Sequence, residues 1–274
     1  MRVTIVGSGT LLPDDDRRSA AHLVEGRGFT LLLDCGSGTV HGLARDGLPW
    51  QGITHLALSH YHTDHTGDLA AILWAMHHGV PGGRRTPLVV LGPRGLRRLL
   101  EGLALAHGEW LREPGFELRA VELPPSGRYT DPEAGFTLSA HPVPHTPDSV
   151  AWRLDTEEGT LGYTGDTGPH PPLGGFFSGV DLLVAECALP DEAAPENHLT
   201  PSSVAAIAGE AGPGLLVLTH LYPELDLVRL PDLVRAAGYT GKVLVGWDGL
   251  RIDLDPGGAS APDPGVPAGP SILE

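Results

Sequence analysis

The run His60-Tyr61-His62-Thr63-Asp64-His65 places three imidazoles and one carboxylate within six residues. Alternate residues of an extended segment point to the same side, so His60 and His62 can reach one ion. The chain then turns into a predicted helix, which directs Asp64 and His65 toward a neighbouring position. Because neutral imidazoles and carboxylates suit zinc and similar divalent ions, the run predicts the centre of a metal site.

Five further residues could complete this site. His145, Asp166 and His220 each follow a predicted strand, at the ends where sheet-based sites collect their ligands. Glu186 ends a near-continuous apolar strand, where an unpaired carboxylate would be costly. His198 directly precedes a predicted helix. We therefore predict that these five side chains gather around the run.

Short strands and helices alternate along the chain and must position these residues. The spacing of apolar residues predicts helices over 67–78, 94–107, 201–211 and 230–237, and Thr200 is the expected N-cap of the third. Two blocks of strands, each accompanied by helices, predict a layered α/β sandwich. The predicted strands cover 2–7, 20–25, 29–35, 54–59, 87–91, 117–123, 136–143, 150–154, 160–163, 180–187, 215–219, 242–245 and 251–254.

Composition separates one folded domain, 1–255, from a predicted disordered tail, 256–274, which is rich in Gly, Pro, Ala and Ser and has little to bury. Cys35 and Cys187 each lie in an apolar stretch and are expected to be core residues. No apolar run is long enough for a membrane span, and the first apolar run is too short for a signal peptide. We therefore expect a cytoplasmic protein without a membrane partner.

Charge bears on the kind of substrate. The chain has 18 basic and 34 acidic residues, for a net charge of −16, and Lys242 is its one lysine. Proteins that grip long nucleic acid need clustered basic side chains to displace counterions from phosphates. The nearest approach to such a cluster is equally explained by a solvated helix face; it comprises Arg84, Arg85, Arg94, Arg97 and Arg98. Charge therefore argues against long nucleic acid and favours a small-molecule substrate.

Three more motifs occur in order around the histidine run: Leu33-Asp34-Cys35-Gly36-Ser37-Gly38-Thr39, Gly165-Asp166-Thr167 and Leu218-Thr219-His220. Together they resemble the metallo-β-lactamase superfamily, and most closely its ribonuclease Z-like branch, from residue 1 to about residue 254. The resemblance implies a four-layer αββα sandwich with a dinuclear metal site at the edge of the two sheets. It implies two divalent ions, zinc first, with manganese or iron as alternatives.

The resemblance also implies a role for each candidate residue. Seven ligands are shared between two ions: His60, His62 and His145 on the first, Asp64, His65 and His220 on the second, and Asp166 bridging both. His141 is an alternative to His145, but it lacks the Thr-Pro-Asp-Ser stretch that follows His145.

Glu186 and His198 resemble a Glu–His pair that ribonuclease Z-like enzymes keep beside the metals. Two ions can share a hydroxide and stabilise the charge that builds during an in-line displacement. In this scheme Glu186 orients His198, which protonates the leaving alkoxide; alternatively, His198 caps its helix or bonds a carbonyl. Asp64 joins these two as a catalytic candidate as well as a ligand.

Two late segments, Ala194–His198 and Val245–Leu250, resemble small phosphodiesterases of this branch, including the cyclic ribose-phosphate enzyme of phosphonate breakdown. Long-form ribonuclease Z carries a basic arm between the positions of His145 and Asp166. Here only 20 residues separate these positions, and Arg153 is the only basic one among them. We therefore expect a hydrolase that acts on a small phosphodiester or nucleotide.

Two alternatives to this function stay open. One is a tRNA 3′-processing endonuclease, and the other is a sulfatase, lactonase or thioesterase of the same superfamily. Members of the branch are often dimers, so the resemblance implies a homodimer as partner.

Overall fold

The computed structural model of the chain describes residues 1–193, 196–255 and 258–260. Two mixed β-sheets pack face to face, and helices cover the outer face of each. The first sheet has the strand order β15-β14-β1-β2-β3-β4-β5-β6, and the second has the order β13-β12-β11-β10-β9-β8-β7. The strands are β1 (Arg2–Gly7), β2 (Ala21–Gly26), β3 (Phe29–Leu33), β4 (His55–Ala57), β5 (Leu88–Gly92), β6 (Leu118–Glu122), β7 (Arg128–Asp131), β8 (Phe136–Pro142), β9 (Val150–Thr156), β10 (Gly159–Tyr163), β11 (Leu182–Glu186), β12 (Leu215–Thr219), β13 (Val243–Val245), β14 (Arg251–Asp255) and β15 (Gly258–Ser260).

The helices divide between the two outer faces. The hydrophobic cluster outside the first sheet includes residues of three helices, α1 (Thr39–Arg45), α3 (Leu69–His78) and α4 (Leu96–His107). The short helix α2 (Thr63–Thr66) continues the histidine run. The cluster outside the second sheet includes residues of α5 (Pro172–Phe176), α6 (Pro201–Ala211) and α7 (Leu230–Ala236). The predicted four-layer αββα sandwich is therefore confirmed.

A third hydrophobic cluster fills the space between the sheets. Alternate residues of each strand point into it, as the pleat of a β-strand requires. Val3, Ile5 and Leu31 come from the first sheet, and Trp152 and Leu161 come from the second. This core holds the two sheets at a fixed distance, so loops that leave their edges face each other across the same rim.

The strand directions explain why polar residues collect at that rim. In the second sheet β10, β11, β12 and β13 run parallel, and in the first sheet β3, β4, β5 and β6 do the same. The carboxyl ends of parallel strands meet at one edge of a sheet, which is the usual place for a binding site. The loops after β4, β10, β11 and β12 therefore open toward a common position.

Of two predictions about helices, the cap of α6 is confirmed and the start of α3 is wrong. Thr200 caps α6 as predicted, since it accepts a hydrogen bond from Ser203 N and forms a reciprocal capping box with that residue. The single helix predicted over 67–78 is wrong in its first turn. A short helix, α2, already begins at Thr63. The helical conformation is interrupted between Thr66 and Leu69, where α3 begins. Gly67 and Asp68 lie at this interruption; glycine lowers helix stability, and the Asp68 carboxylate accepts a hydrogen bond from Val40 N at the start of α1.

The predicted tail needs a correction at its start. Residues 258–260 form β15, which pairs antiparallel with β14 at the edge of the first sheet. Backbone hydrogen bonds to an open sheet edge require no apolar side chain, so composition gave no sign of this strand. The remainder of the predicted tail, 256–257 and 261–274, lies outside the described residues.

Other expectations concern the core and the membrane. Cys35 and Cys187 are free and buried, as predicted. Within the described residues, no helix combines the length and apolar character needed to cross a membrane. The sequence places Arg84 in a candidate basic cluster at the surface. In the structure it is buried, and its guanidinium donates hydrogen bonds to the carbonyls of Gln51 and Ile53.

Candidate metal centre

The histidine run begins in the loop after β4 and continues into α2. His62 has an extended backbone (φ −64°, ψ 154°) as the N-cap of α2, so the helix starts at the next residue. The Nε2 atom of His60 lies 3.0 Å from Nδ1 of His62. Asp64 and His65 lie in the first turn of α2 and are buried. The extended segment therefore presents two imidazoles together, and the helical turn carries the next two donors past them.

The second sheet supplies three more donors from three separate loops. His145 follows β8, and its Nε2 lies 3.1 Å from Nδ1 of His62. Asp166 follows β10, and His220 follows β12. The Nε2 atom of His220 lies 3.3 Å from Oδ2 of Asp166 and 3.4 Å from Oδ2 of Asp64. Residues that are far apart in the sequence thus meet the run at the rim of the sandwich.

These seven side chains form two adjacent groups. Within each group the potential ligand atoms lie within 4.8 Å of one another; one group is His60, His62 and His145, and the other is Asp64, His65, Asp166 and His220. Asp166 lies between the groups. Its Oδ2 is 3.8 Å from Nε2 of His60 and 3.7 Å from Nε2 of His145, while its Oδ1 is 3.1 Å from Nε2 of His65.

The donor set fits divalent cations on the evidence of its own unsatisfied atoms. Nε2 of His65 and Oδ1 of Asp166 lie 3.1 Å apart, and both are buried without a hydrogen-bond partner. Buried polar groups normally have partners, so each such atom requires an explanation. Imidazole nitrogens and a carboxylate oxygen that converge without bonding are explained by a bound metal ion.

Electrostatics in the centre point the same way. Burial lowers the pKa of His60 well below its usual value, which leaves the neutral imidazole that binds metals. Burial opposes ionisation of Asp166, but the neighbouring imidazoles of His220 and His65 outweigh it and hold the pKa of this carboxyl well below its usual range. For His65 burial is outweighed by Asp166 and Asp34, which raise its pKa. The carboxylates of Asp166 and Asp34 thus stabilise positive charge at His65, and they would stabilise a divalent cation bound there in the same way.

Asp34 is a supporting residue whose role the sequence did not reveal. Its carboxylate accepts hydrogen bonds from Ser59 N (2.6 Å), Ser59 Oγ (2.7 Å) and Tyr163 Oη (2.6 Å), and it lies 2.7 Å from Nδ1 of His65. A ligand histidine is oriented in this way by a partner on its other nitrogen. The Leu33–Thr39 motif in the sequence contains Asp34, but the contacts of its carboxylate with Ser59 and Tyr163 depend on the fold.

Backbone conformation marks two residues of this centre. Asp34 and His220 have positive φ angles of 56° and 55°. Residues other than glycine adopt this left-handed conformation at a cost of about 1–2 kcal/mol each. Functional sites are where such strain is typically stored.

Glu186 and His198 lie beside the second group of donors. Nδ1 of His198 is 3.1 Å and 3.2 Å from the two carboxylate oxygens of Glu186. The same carboxylate accepts hydrogen bonds from Thr167 N and Leu199 N. Burial raises the pKa of Glu186 well above its usual value. The His198 ring stacks on that of His220, with centroids 5.4 Å apart and an interplanar angle of 18°.

The alternative ligand lies elsewhere. Nε2 of His141 is 3.3 Å from Nε2 of His170, and its ring packs near Phe176. His145, by contrast, contacts the run directly, and its Nδ1 is within hydrogen-bond distance of the Asn197 carbonyl, at 2.9 Å. The structure therefore brings His145, and not His141, to the cluster.

A cavity of about 620 Å³ opens onto the donors. Its wall includes Asn197 and two residues that the sequence did not mark, Leu11 in the loop after β1 and Tyr222. No arginine or lysine lines it within the described part of the chain. The other lining residues are Tyr61, His62, Thr63, Asp64, His145, Asp166 and His198.

Comparison with known proteins gives a consistent result. A family model described as "Beta-lactamase superfamily domain" matches residues 30–221. Ribonuclease Z of Mycobacterium avium (strain 104) is 28% identical over 283 residues, covering 93% of this chain and 99% of that protein. The metallo-beta-lactamase fold protein YhfI from Bacillus subtilis aligns with a TM-score of 0.78 and 23% identity, covering 91% of this chain and 97% of that one.

A second solved structure, human tRNase Z, short form, has a TM-score of 0.76 and 24% identity, with 93% of this chain and 99% of that one covered. At this level of identity the two solved structures show a shared fold, while the family model covers most of the chain. The chain therefore belongs to the metallo-β-lactamase superfamily of metal-dependent hydrolases, as its motifs predicted.

Proposed function

We propose that this hydrolase is a phosphodiesterase that cleaves a small phosphodiester or nucleotide. The observation that carries the proposal is the Glu186–His198 pair, which stands at the cavity beside the metal ligands. An alkoxide is a poor leaving group and needs a proton as its bond to phosphorus breaks. A thioester or an activated aryl sulfate needs no such donor. The pair therefore favours a phosphodiester over these other substrates.

Seven residues would hold two divalent ions, zinc first and manganese or iron as alternatives. We assign His60, His62 and His145 to the first ion, Asp64, His65 and His220 to the second, and Asp166 to both. When bound, such ions supply an activated hydroxide and stabilise developing negative charge. Asp34 holds the imidazole of His65 in a fixed orientation through its Nδ1. Asp64 adds negative charge beside His220 and completes the second group.

His198 is the proposed proton donor. It also lies within 4.8 Å of the donor atoms of His145 and Asp166, so distance alone would permit it to bind metal. We assign it to proton transfer because the two ligand groups are complete without it, and because it lines the cavity in which a leaving group would lie. Glu186 is a positioning residue, since it contacts His198 and two backbone amides rather than the cavity.

The walls of the cavity favour a small substrate. Without arginine or lysine in the lining, the charge of a single diester would be met by the metal ions alone. Between His145 and Asp166 the chain forms the β9–β10 hairpin, whose turn consists of Glu157 and Glu158. A basic arm for a folded RNA does not occupy this stretch.

One observation favours a second candidate, a tRNA 3′-processing endonuclease. The relative from Mycobacterium avium that is named ribonuclease Z matches this chain over nearly its full length. A sulfatase or thioesterase of the same fold has no comparable observation in its favour. A lactone also releases an alkoxide, so the Glu186–His198 pair alone does not separate a lactonase from a phosphodiesterase, and the substrate panel must do so.

A substrate panel separates these functions. The purified metal-loaded enzyme would be assayed on bis(p-nitrophenyl) phosphate, an aryl sulfate, a lactone, a thioester and a precursor tRNA, with His198→Ala as a matched variant. We expect the highest kcat/KM on phosphodiesters and slow cleavage of the precursor tRNA. Efficient cleavage of the precursor at its 3′ end would establish the endonuclease instead. A phosphodiester rate below the sulfate or lactone rate would overturn the proposal.

A further inference from the structure

A groove of about 1020 Å³ contains none of the metal-centre donors. We call it the arginine groove. One wall is the edge strand β13 with the residues that follow it, and the opposite wall comes from the ends of α1 and β14. Four arginines line it: Arg17, Arg45, Arg235 and Arg251. In a chain with net charge −16, this concentration of cations calls for an explanation.

The acidic residues of the groove are already paired. Asp46 and Asp248 both contact Arg18, at 3.0 Å and 3.1 Å. Asp232 pairs with Arg235 at 2.9 Å. Three arginines are left without an ion pair among the described residues, namely Arg17, Arg45 and Arg251. Arg17 still lies in the field of Asp248, Asp14 and Asp16, and the lining has four arginines against three aspartates. The groove therefore presents a small excess of positive charge, which comes mainly from Arg45 and Arg251.

Arg17 is the most constrained of the three. It is half-buried, and its Nη1 donates to Ser8 Oγ at 2.7 Å and to the Gly246 carbonyl at 2.8 Å. Burial lowers the pKa of this guanidinium. A guanidinium held in place by neutral partners keeps donors for an anion, and its planar fork suits phosphate.

Apolar side chains lie next to these charges. Trp247 and Leu244 line the groove from the β13 side. Leu227 and Val228 line it from the loop after Tyr222, and Val228 is 89% exposed. An aromatic surface flanked by arginines is the arrangement that binds bases by stacking and phosphates by charge.

The arginine groove shares two loops with the catalytic cavity. The loop after β1 carries Leu11 in the cavity and Arg17 in the groove. The loop after β12 carries Tyr222 in the cavity and Leu227 in the groove. Six residues of extended chain span at most about 20 Å, so one short flexible ligand can reach both. Asp248 accepts hydrogen bonds from Ser8 N and Arg18 N and thereby fixes both ends of the first loop.

We propose that the arginine groove binds the distal nucleotides of a short single-stranded oligonucleotide whose reacting phosphodiester lies in the catalytic cavity. This names the substrate class of the proposed phosphodiesterase and rests on that function. Phosphates contact Arg17, Arg45 and Arg251, and a base stacks on Trp247. A folded RNA is not required, because the groove is a bounded cavity rather than an extended basic surface.

The test measures binding apart from catalysis. A fluorescein-labelled trinucleotide with hydrolysis-resistant phosphorothioate linkages would be titrated into the metal-loaded enzyme, with fluorescence anisotropy as readout. A trinucleotide has two phosphates, and one of them lies in the catalytic cavity, so the groove contacts one phosphate and the slope of log K against log salt should be about −0.7. Arg45→Gln/Arg251→Gln should raise Kd roughly tenfold or more at low salt and make this slope shallower. The matched control is Arg94→Gln/Arg98→Gln, two exposed arginines outside the groove.

A kinetic measurement separates this inference from the proposed function. The double variant should raise KM for an all-phosphate trinucleotide and leave KM for bis(p-nitrophenyl) phosphate unchanged, since the small diester fits the catalytic cavity alone. Equal binding by the double variant and the wild type would overturn the groove assignment, as would equal weakening in the control or equal competition by an acidic peptide. If the wild type hydrolyses no diester while binding still depends on these arginines, the groove assignment stands and the phosphodiesterase proposal fails.

Discussion

The two sheets contribute to the metal centre in different ways. The first supplies four donors from one continuous stretch after β4, residues 60–65. The second supplies His145, Asp166 and His220 from three loops, after β8, β10 and β12. Local backbone geometry brings the four donors of the first sheet together, whereas the three donors of the second sheet assemble only when the seven-stranded sheet has formed in register. The donors of the first sheet therefore depend on local structure, and those of the second sheet depend on the whole fold.

Asp166 connects the donors of the two sheets, because its carboxylate lies within 4 Å of donors from both. Asp166→Ala should remove both ions and lower kcat/KM by roughly 1000-fold or more, since metal stabilisation is worth several kcal/mol and each 1.36 kcal/mol is tenfold. Metal content per chain, activity on bis(p-nitrophenyl) phosphate and far-UV circular dichroism would be measured together. Asp155→Ala is the control, since Asp155 lies on β9 and bonds Arg153. Two ions retained in Asp166→Ala would refute the shared ligand.

His62 tests the independence of the first group. His62→Ala should lose one ion, keep the second and leave the sheets folded, because the Nδ1 atom of His62 lies beside His60 and His145, the other donors of the first ion. We expect turnover to fall by roughly 100-fold or more, with the two-metal mechanism reduced to one ion. His41→Ala, an exposed histidine on α1, is the matched control for metal analysis. A wild-type enzyme that is fully active with one ion per chain would contradict the assignment.

His198 separates proton transfer from metal binding. His198→Ala should retain both ions and lower turnover by roughly 100-fold on a diester with an alkoxide leaving group. The loss should shrink for nitrophenolate, which leaves without a proton. Paired rates on the two substrates, with metal content, measure this effect.

Glu186→Gln provides the graded control for that experiment. Because Glu186 acts through His198, this variant should show the same dependence on leaving group with a smaller loss. Equal losses on both substrates would indicate that His198 positions substrate. Metal loss in His198→Ala would place His198 among the ligands.

The smallest expected effect contrasts the catalytic cavity with the arginine groove. Hydrolysis of bis(p-nitrophenyl) phosphate should change less than about twofold between low and moderate salt, because no arginine or lysine among the described residues lines the cavity. A trinucleotide assayed in the same buffers should lose affinity as salt rises. If salt affected both substrates equally, the catalytic cavity and the arginine groove would not differ in their dependence on charge.

Local patterns in the sequence predicted a large part of the fold and of the candidate site. The His60–His65 spacing predicted convergent donors because it depends on backbone geometry alone. Thr200 was predictable as a cap for the same reason. The apolar run that ends at Glu186 predicted a doubly covered strand, and all five residues of β11 are buried.

Features that depend on distant contacts were not predictable from those patterns. Tyr163 bonds Asp34 across the interface between the two sheets, and no spacing in the sequence relates the two residues. Arg84 resembles a surface arginine until backbone carbonyls surround it. The arginine groove likewise combines residues from 17 to 251, and composition alone had argued only against long nucleic acid.

The left-handed backbone of His220 has a consequence for directed evolution. Its φ of 55° is strained for a histidine, and its Nδ1 has no partner among the described residues. Replacement by glycine relieves strain worth about 1–2 kcal/mol, but it also removes the imidazole that helps to hold the pKa of Asp166 down. A thermal-stability selection performed in chelator would therefore keep this side chain only where that pairing outweighs the strain. The same library selected with metal present would retain it, because ion binding adds stability to the folded state alone.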